Sequence, residues 1–192
     1  MDSDTAPAGL KNLKGRIKRL EPLVGAAIGS GMAAAAAEEG GADFLMVLSA
    51  GVFRTIGCSS MAALLPYANA NEMTLDAAAR SVLPRVRDTP VFVGLCAQNP
   101  TMNMPAMIQH VRELGFVGVT NFPSVGFIDG NYRNSLEEGG LGFAAEVEML
   151  RAASAEGLLT VGFCFNAKEA KAMAGAGVDI LNVDLGFAEW RP

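Results

Sequence analysis

The stretch that decides the fold is residues 157–186, "GLLTVGFCFNAKEAKAMAGAGVDILNVDLG". It opens with an apolar run over 158–165 that shows no polar alternation. An Asn and an Ala- and Lys-rich run follow over 166–177, ending in Gly-Ala-Gly, and a second apolar run over 178–186 closes the stretch. Continuous apolar runs of this length mark strands buried on both faces, as in a parallel sheet. Two such strands joined by a helix make a βαβ unit, so the stretch reads as α/β.

The unit recurs upstream. Strands are expected at 22–30, 42–50, 90–97 and 116–122, and helices at 32–41, 103–115 and 143–157. One or two helices are expected within 60–87, broken at Pro66 and Pro84. A short basic helix is expected at 10–20, after a disordered start over 1–9. "EEGGAD", "RELGF", "SAEGL" and "GAGVD" each put Gly where a helix end needs a left-handed residue. Six strands result, whereas a (β/α)₈ barrel needs eight in about 250 residues. Periodicity alone therefore leaves two architectures, an incomplete barrel and an open sheet. Residues 10–192 are read as one domain.

Of the 192 residues, 51% are hydrophobic and 18% charged, enough to bury one sizeable core. The net charge of −5 offers no electrostatic attraction to nucleic acid or to an anionic lipid surface. No apolar run reaches membrane-crossing length, and the first twenty residues lack the apolar centre of a secretory signal. Cys58, Cys96 and Cys164 have no metal-ligand spacing and read as reduced thiols of a cytoplasmic protein. Met104, Met107, Met149 and Met173 read as core filler.

Small polar residues gather at the expected strand ends: Ser30, Ser49, Gln98, Asn99, Asn121 and Asp184. Ligands of parallel α/β folds bind at that edge. A long loop is expected after Asn121, running to the helix that starts at 143, and loops this long are often functional. In it Asp129-Gly130 signals a turn and Arg133 is a fork donor suited to carboxylate or phosphate. Glu137 and Glu138 suit a metal, acid–base work, or an ion pair with Arg133; the competing reading is a solvated pair beside a turn. "GAAIGSG" at 25–31 is either a phosphate cradle or a small-residue joint. "SAGVFRTIGCSS" at 49–60 reads as a second loop, with Arg54 for an anion or a surface salt bridge. His110 reads as a surface or partly packed side chain, and Asp184 as a metal ligand, a base or a solvated residue.

The segment "GFVGVTNFPSVGFIDGNYRNSLEEGGLGFAAEVEML" (115–150) closely resembles the signature of the phosphoenolpyruvate hydrolase-like TIM-barrel family, which also supplies the C-terminal barrel of plant tobamovirus-resistance proteins. "EEGGADFLMV", "SSMAALLPYANAN", "VLPRVRDTPVFVGLCAQNP" and "GLLTVGFCFNAKEAKAMAGAGVDIL" match in one register, so the resemblance spans about 10–187. It implies a (β/α) TIM-type barrel of the phosphoenolpyruvate/pyruvate superfamily, with about six of eight units present. It also implies Mg²⁺ at the strand C-termini and enolate or phosphoryl chemistry, of hydrolase or lyase type, on a small phosphorylated or 2-oxo carboxylate.

On that resemblance Glu138, Asn121 and Asp184 are the expected catalytic residues. Arg133, Arg54, Ser30, Asn99 and Gly126 are expected to bind the anionic substrate, and Glu137, Glu138 and Asp184 to hold Mg²⁺. Turnover is expected to vanish in Arg133→Ala and Glu138→Gln with little change in melting. The chain departs from the family pattern at Asn99, where an acid is expected, at Val52, where an Arg is expected, and at Asp184, where a His is expected. A non-catalytic anion-binding or regulatory barrel, or a truncated inactive homologue, is the alternative. Unpaired edges of an open barrel lead to the expectation of a homo-oligomer.

Overall fold

The computed structural model describes residues 8–66 and 68–185. Most of the disordered start expected over 1–9 lies outside these residues, but Ala8 and Gly9 already belong to the first helix. The elements run α1 (Ala8–Lys18), β1 (Gly25–Ile28), α2 (Gly31–Glu39), β2 (Phe44–Val47), α3 (Ser49–Thr55), α4 (Ala70–Ala77) and β3 (Val91–Gly94). They continue with α5 (Met104–Glu113), β4 (Gly118–Thr120), α6 (Gly130–Glu138), α7 (Phe143–Ala155), β5 (Leu159–Cys164), α8 (Ala167–Gly175) and β6 (Ile180–Val183).

All six strands pair in parallel in the order β1-β2-β3-β4-β5-β6. This is the wall of a TIM-type barrel with six of its eight βα units, and β1 and β6 are its edges. Register sorts the side chains into two apolar layers. Phe44, Met46, Phe92, Leu159, Val161 and Phe163 fill the inside. Leu45, Val47, Val91, Val93 and Val119 face outward and pack on Ala34, Ile108, Val111, Val147, Leu150 and Met173. The basic helix α1 stops the end of the barrel that the strands start from. Leu13, only 2% exposed, enters the inner layer, and the Gly9 N–H donates to the Asp88 carbonyl at 3.1 Å. Burying one such leucine is worth about 1.5–3 kcal/mol.

The glycine joints close their helices as expected. Gly115 and Gly157 have φ of +90° and +81°, and the next N–H reaches back five residues, Phe116 to Val111 and Leu158 to Ala153. The glycines of 25–31 serve packing. A Cβ on Gly29 would stand 1.9 Å from the Gly51 backbone, and one on Gly31 would stand 2.1 Å from the Ser81 carbonyl. That segment is a joint where α3 and the turn after α4 press on the β1 exit.

Two expectations need correction. The loop expected at 49–60 begins as α3, so the β2 strand stops at Val47 rather than continuing to residue 50. The long loop expected after Asn121 contains a 3₁₀ turn, Val125–Phe127, and the nine-residue helix α6. Among the described residues no helix is long and apolar enough to cross a membrane.

Candidate functional site

A cavity of about 380 Å³ opens at the C-terminal ends of β3 and β4. Its polar lining comes from Asn69, Cys96, Gln98, Asn99, Ser124 and Tyr132, and Leu64, Val125, Leu136 and Leu141 are among its apolar walls. Local bonds fix these groups. Asn69 caps α4, accepting from the Asn71 N–H at 3.1 Å. Asn71 is buried and grips the Cys96 backbone, accepting its N–H at 2.6 Å and donating to its carbonyl at 3.2 Å. The chain therefore leaves β3 in one fixed direction. Asn99 turns on itself, accepting from the Thr101 N–H and hydroxyl at 3.0 and 2.8 Å.

Behind this lining lies Glu146, in the first turn of α7 and fully buried. Its Oε1 accepts from Gln98 Nε2 at 2.9 Å and from the Val125 N–H at 2.8 Å. Its Oε2 accepts from Ser124 Oγ at 2.7 Å and from Asn121 Nδ2. Burial pushes this carboxyl up to about 7, although all four donors favour the charged form. Burial, with the Glu146 charge adding to it, also raises the Cys96 thiol, which is therefore a poor nucleophile at neutral pH.

The expected site residues do not gather in one place. Asn99 lines the cavity. Asn121 is wholly buried just behind it, bonded to Glu146 and to the Phe163 backbone. Arg133 turns away from the cavity into a separate groove with Gly126, Glu137, Lys168 and Glu169. There Nε bonds Glu137 at 2.7 Å, Nη1 the Val125 carbonyl at 2.7 Å and Nη2 Glu169 at 3.0 Å. Arg54 ties Ser60 Oγ and the Ala27 carbonyl, at 2.9 and 3.0 Å. Ser30 caps α2, accepting from the Ala33 N–H at 3.3 Å. Glu138 is exposed at the end of α6, and Asp184, half-buried past β6, donates its N–H to the Cys164 carbonyl at 2.9 Å.

The reading of the residues passed over Glu146, although a signal was present. In "FAAEVEML" it shares a helical face with Phe143, Val147 and Leu150, all buried. A carboxylate on a core stripe needs partners, because an unpaired buried charge is very costly.

Residues 9–190 match the phosphoenolpyruvate hydrolase-like family. The chain belongs to that family. The ToMV resistance protein Tm-1(GCR237) of Solanum lycopersicum is 44% identical over 178 residues, which cover 93% of this chain and 24% of that protein. This chain thus spans about a quarter of the tomato protein. A phosphonopyruvate hydrolase solved in complex with oxalate and Mg²⁺ superposes with a TM-score of 0.64 at 13% identity, over 92% of this chain and 63% of that one. A phosphoenolpyruvate phosphomutase from Streptomyces platensis subsp. rosaceus gives 0.61 at 18% identity, over 92% and 63%. Likeness at this level of identity establishes the barrel fold.

The donor set of this family member does not fit Mg²⁺. Glu137, Glu138 and Asp184 do not come together, and among the described residues no three His, Cys, Asp or Glu side chains gather as a metal centre. The strand ends carry the amides Asn99 and Asn121 instead. The carboxylate beside them, Glu146, has two donors on each oxygen, and Mg²⁺ needs free hard oxygens in octahedral array.

Proposed function

We propose that this barrel is an enzyme of hydrolase or lyase type that takes a small phosphorylated or 2-oxo carboxylate into the cavity at the ends of β3 and β4. The observation that carries this reading is the pairing of that cavity with a buried carboxyl whose proton affinity is near neutral. The amides of Asn69 and Asn99 and the hydroxyl of Tyr132 present donors to ligand oxygens, while both Gln98 N–H groups are spent on Glu146 and the Gly142 carbonyl. Ser124, whose hydroxyl donates to Glu146 at 2.7 Å, can take a proton from the ligand while releasing its own to that carboxylate. Asn121 acts through Glu146, while Arg133, Arg54, Ser30 and Gly126 shape the frame. The three free thiols suit the reducing cytoplasm.

A second reading, a binding or regulatory barrel without turnover, is favoured by one observation. Arg133 and Arg54 spend their donors inside the fold. Melting with oxalate, pyruvate or phosphoenolpyruvate, followed by a product assay, separates the two. A ligand-dependent rise in Tm with turnover, both weakened in Asn99→Ala, supports the enzyme. A rise without turnover supports the binding barrel, and no rise with any of the three overturns both.

A further inference from the structure

The four donors on Glu146 come from different parts of the barrel mouth. Gln98 follows β3, Asn121 ends β4, and Ser124 and Val125 belong to the turn that walls the cavity. They are divided evenly: each carboxylate oxygen holds one donor from the Ser124–Val125 turn and one from a strand end. An ionised carboxylate only accepts, so it satisfies all four. A proton on either oxygen turns one acceptor site into a donor, so one of that oxygen's two bonds must break or reverse. At Oε2 Asn121 is pinned to the Phe163 backbone, which leaves the Ser124 hydroxyl of the turn as the partner able to rotate.

The groups facing this carboxylate are otherwise uncharged. Cys96 is the titratable neighbour on the β3 side and is kept protonated by burial. From α6, Arg133 stands over the Phe143 ring at 5.8 Å but directs its donors to Glu137, Glu169 and the Val125 carbonyl. On α7 itself, Glu148 pairs with Arg151 on the exposed face. Glu169 of α8 is held by Arg133 and the Phe165 N–H.

We propose that Glu146 is a positioning residue that latches residues 121–128 as a wall of the cavity, and that uptake of one proton there releases the wall. The cost of burying the charge places this uptake near neutral pH. The latch thus makes the shape of the cavity, and with it ligand affinity, depend on pH in the range where histidine switches usually operate. It rests on the proposed function only in that the wall borders the ligand cavity.

The test needs no ligand. The Val125 amide and the Gln98 side-chain amide of the whole chain are followed by NMR from about pH 5.5 to about pH 8.5. Both are expected to titrate with one midpoint near neutral, with Val125 exchanging several-fold faster, relative to an unstructured amide, on the acid side. Glu146→Gln removes the step. Ser124→Ala moves the midpoint upward, because the charged form loses one of the donors that favour it. A Val125 amide indifferent to pH, a step that persists in Glu146→Gln, or an unmoved midpoint in Ser124→Ala overturns the latch. Should Glu146→Gln fail to fold, the Ser124→Ala midpoint decides. Failure of the proposed function would appear separately, as absent ligand binding with the Val125 titration intact.

Discussion

Asn121 closes a two-bond ring on the backbone of Phe163: its Oδ1 accepts the Phe163 N–H at 2.7 Å, and its Nδ2 donates to the Phe163 carbonyl at 3.1 Å. One side chain at the end of β4 thereby pins β5 and, through its second N–H, orients Glu146. Asn121→Ala leaves buried groups unpaired, each costing about 1–3 kcal/mol. Asn121→Asp is expected to be worse, since a carboxylate supplies no donor and adds a like charge beside Glu146. Thermal melts of both variants check this order, and an Asp variant as stable as wild type would sink it.

The Glu146 carboxyl sets the sign of one pH effect. Its folded value, about 7, lies above the ordinary 4.5, so between these values the folded state binds more protons than the unfolded one. The group's contribution is full below pH 4.5, falls as the pH rises through 7, and amounts to about 3 kcal/mol. Urea unfolding of wild type and Glu146→Gln across this window should differ in slope, with the wild type losing relative stability toward the alkaline side. Parallel curves would refute the assignment.

Arg133 reverses an expectation drawn from the sequence. As a substrate anchor it would be replaceable without loss of stability. In the structure it joins α6 to the Val125 turn and to Glu169, which is only 5% exposed. Arg133→Ala is therefore expected to lower Tm by several degrees, because it strips a buried carboxylate of its cation. Arg133→Lys recovers only part, since one ammonium cannot span three acceptors set in a fork. Unchanged melting in Arg133→Ala would return this residue to the ligand side.

These reversals show where the sequence speaks clearly and where it does not. The strands and their glycine stops were legible because burial on both faces demands unbroken apolar runs, and a helix end in the left-handed region demands Gly. Helix α3 was missed because its N-cap is Leu48, which makes no side-chain cap bond, and its "SAGVFRT" run resembles a loop. Helix α6 was missed because it buries none of its residues, so no apolar stripe marks it, and Asp129 does not cap it. Of the site, the strand-end amides could be read, since position along the chain fixes them. The Glu146 cluster joins residues up to 48 positions apart, and no local pattern announces that meeting.

That no carboxylate cluster forms among the described residues gives a prediction about metal. Ligand-induced stabilisation of this chain by oxalate should be the same with Mg²⁺ and with a chelator, because Asn99 and Asn121 offer neutral amides where hard anionic oxygens would be needed. Differential scanning fluorimetry in both conditions reads it directly. A shift seen only with Mg²⁺ would show that Glu146 surrenders its donors to an ion.

Among the described residues the barrel wall ends at β1 and β6, each pairing with a strand on one side. On β6, Leu181 and Val183 face outward at 41% and 60% exposure, and Leu185 beyond it is 96% exposed. Val24, before β1, is 66% exposed. Apolar edge strands without charged guards pair with other chains, and a second copy offers the same edges. This chain is therefore expected to self-associate, with each copy covering the other's open side. Leu181→Lys together with Val183→Lys puts charge on that face while leaving the inward Ile180 and Asn182 untouched, so the fold should persist while association weakens. Light scattering of wild type and double variant, with circular dichroism as the control for folding, decides the matter. A monodisperse monomer for the wild-type chain rules out association through these edges.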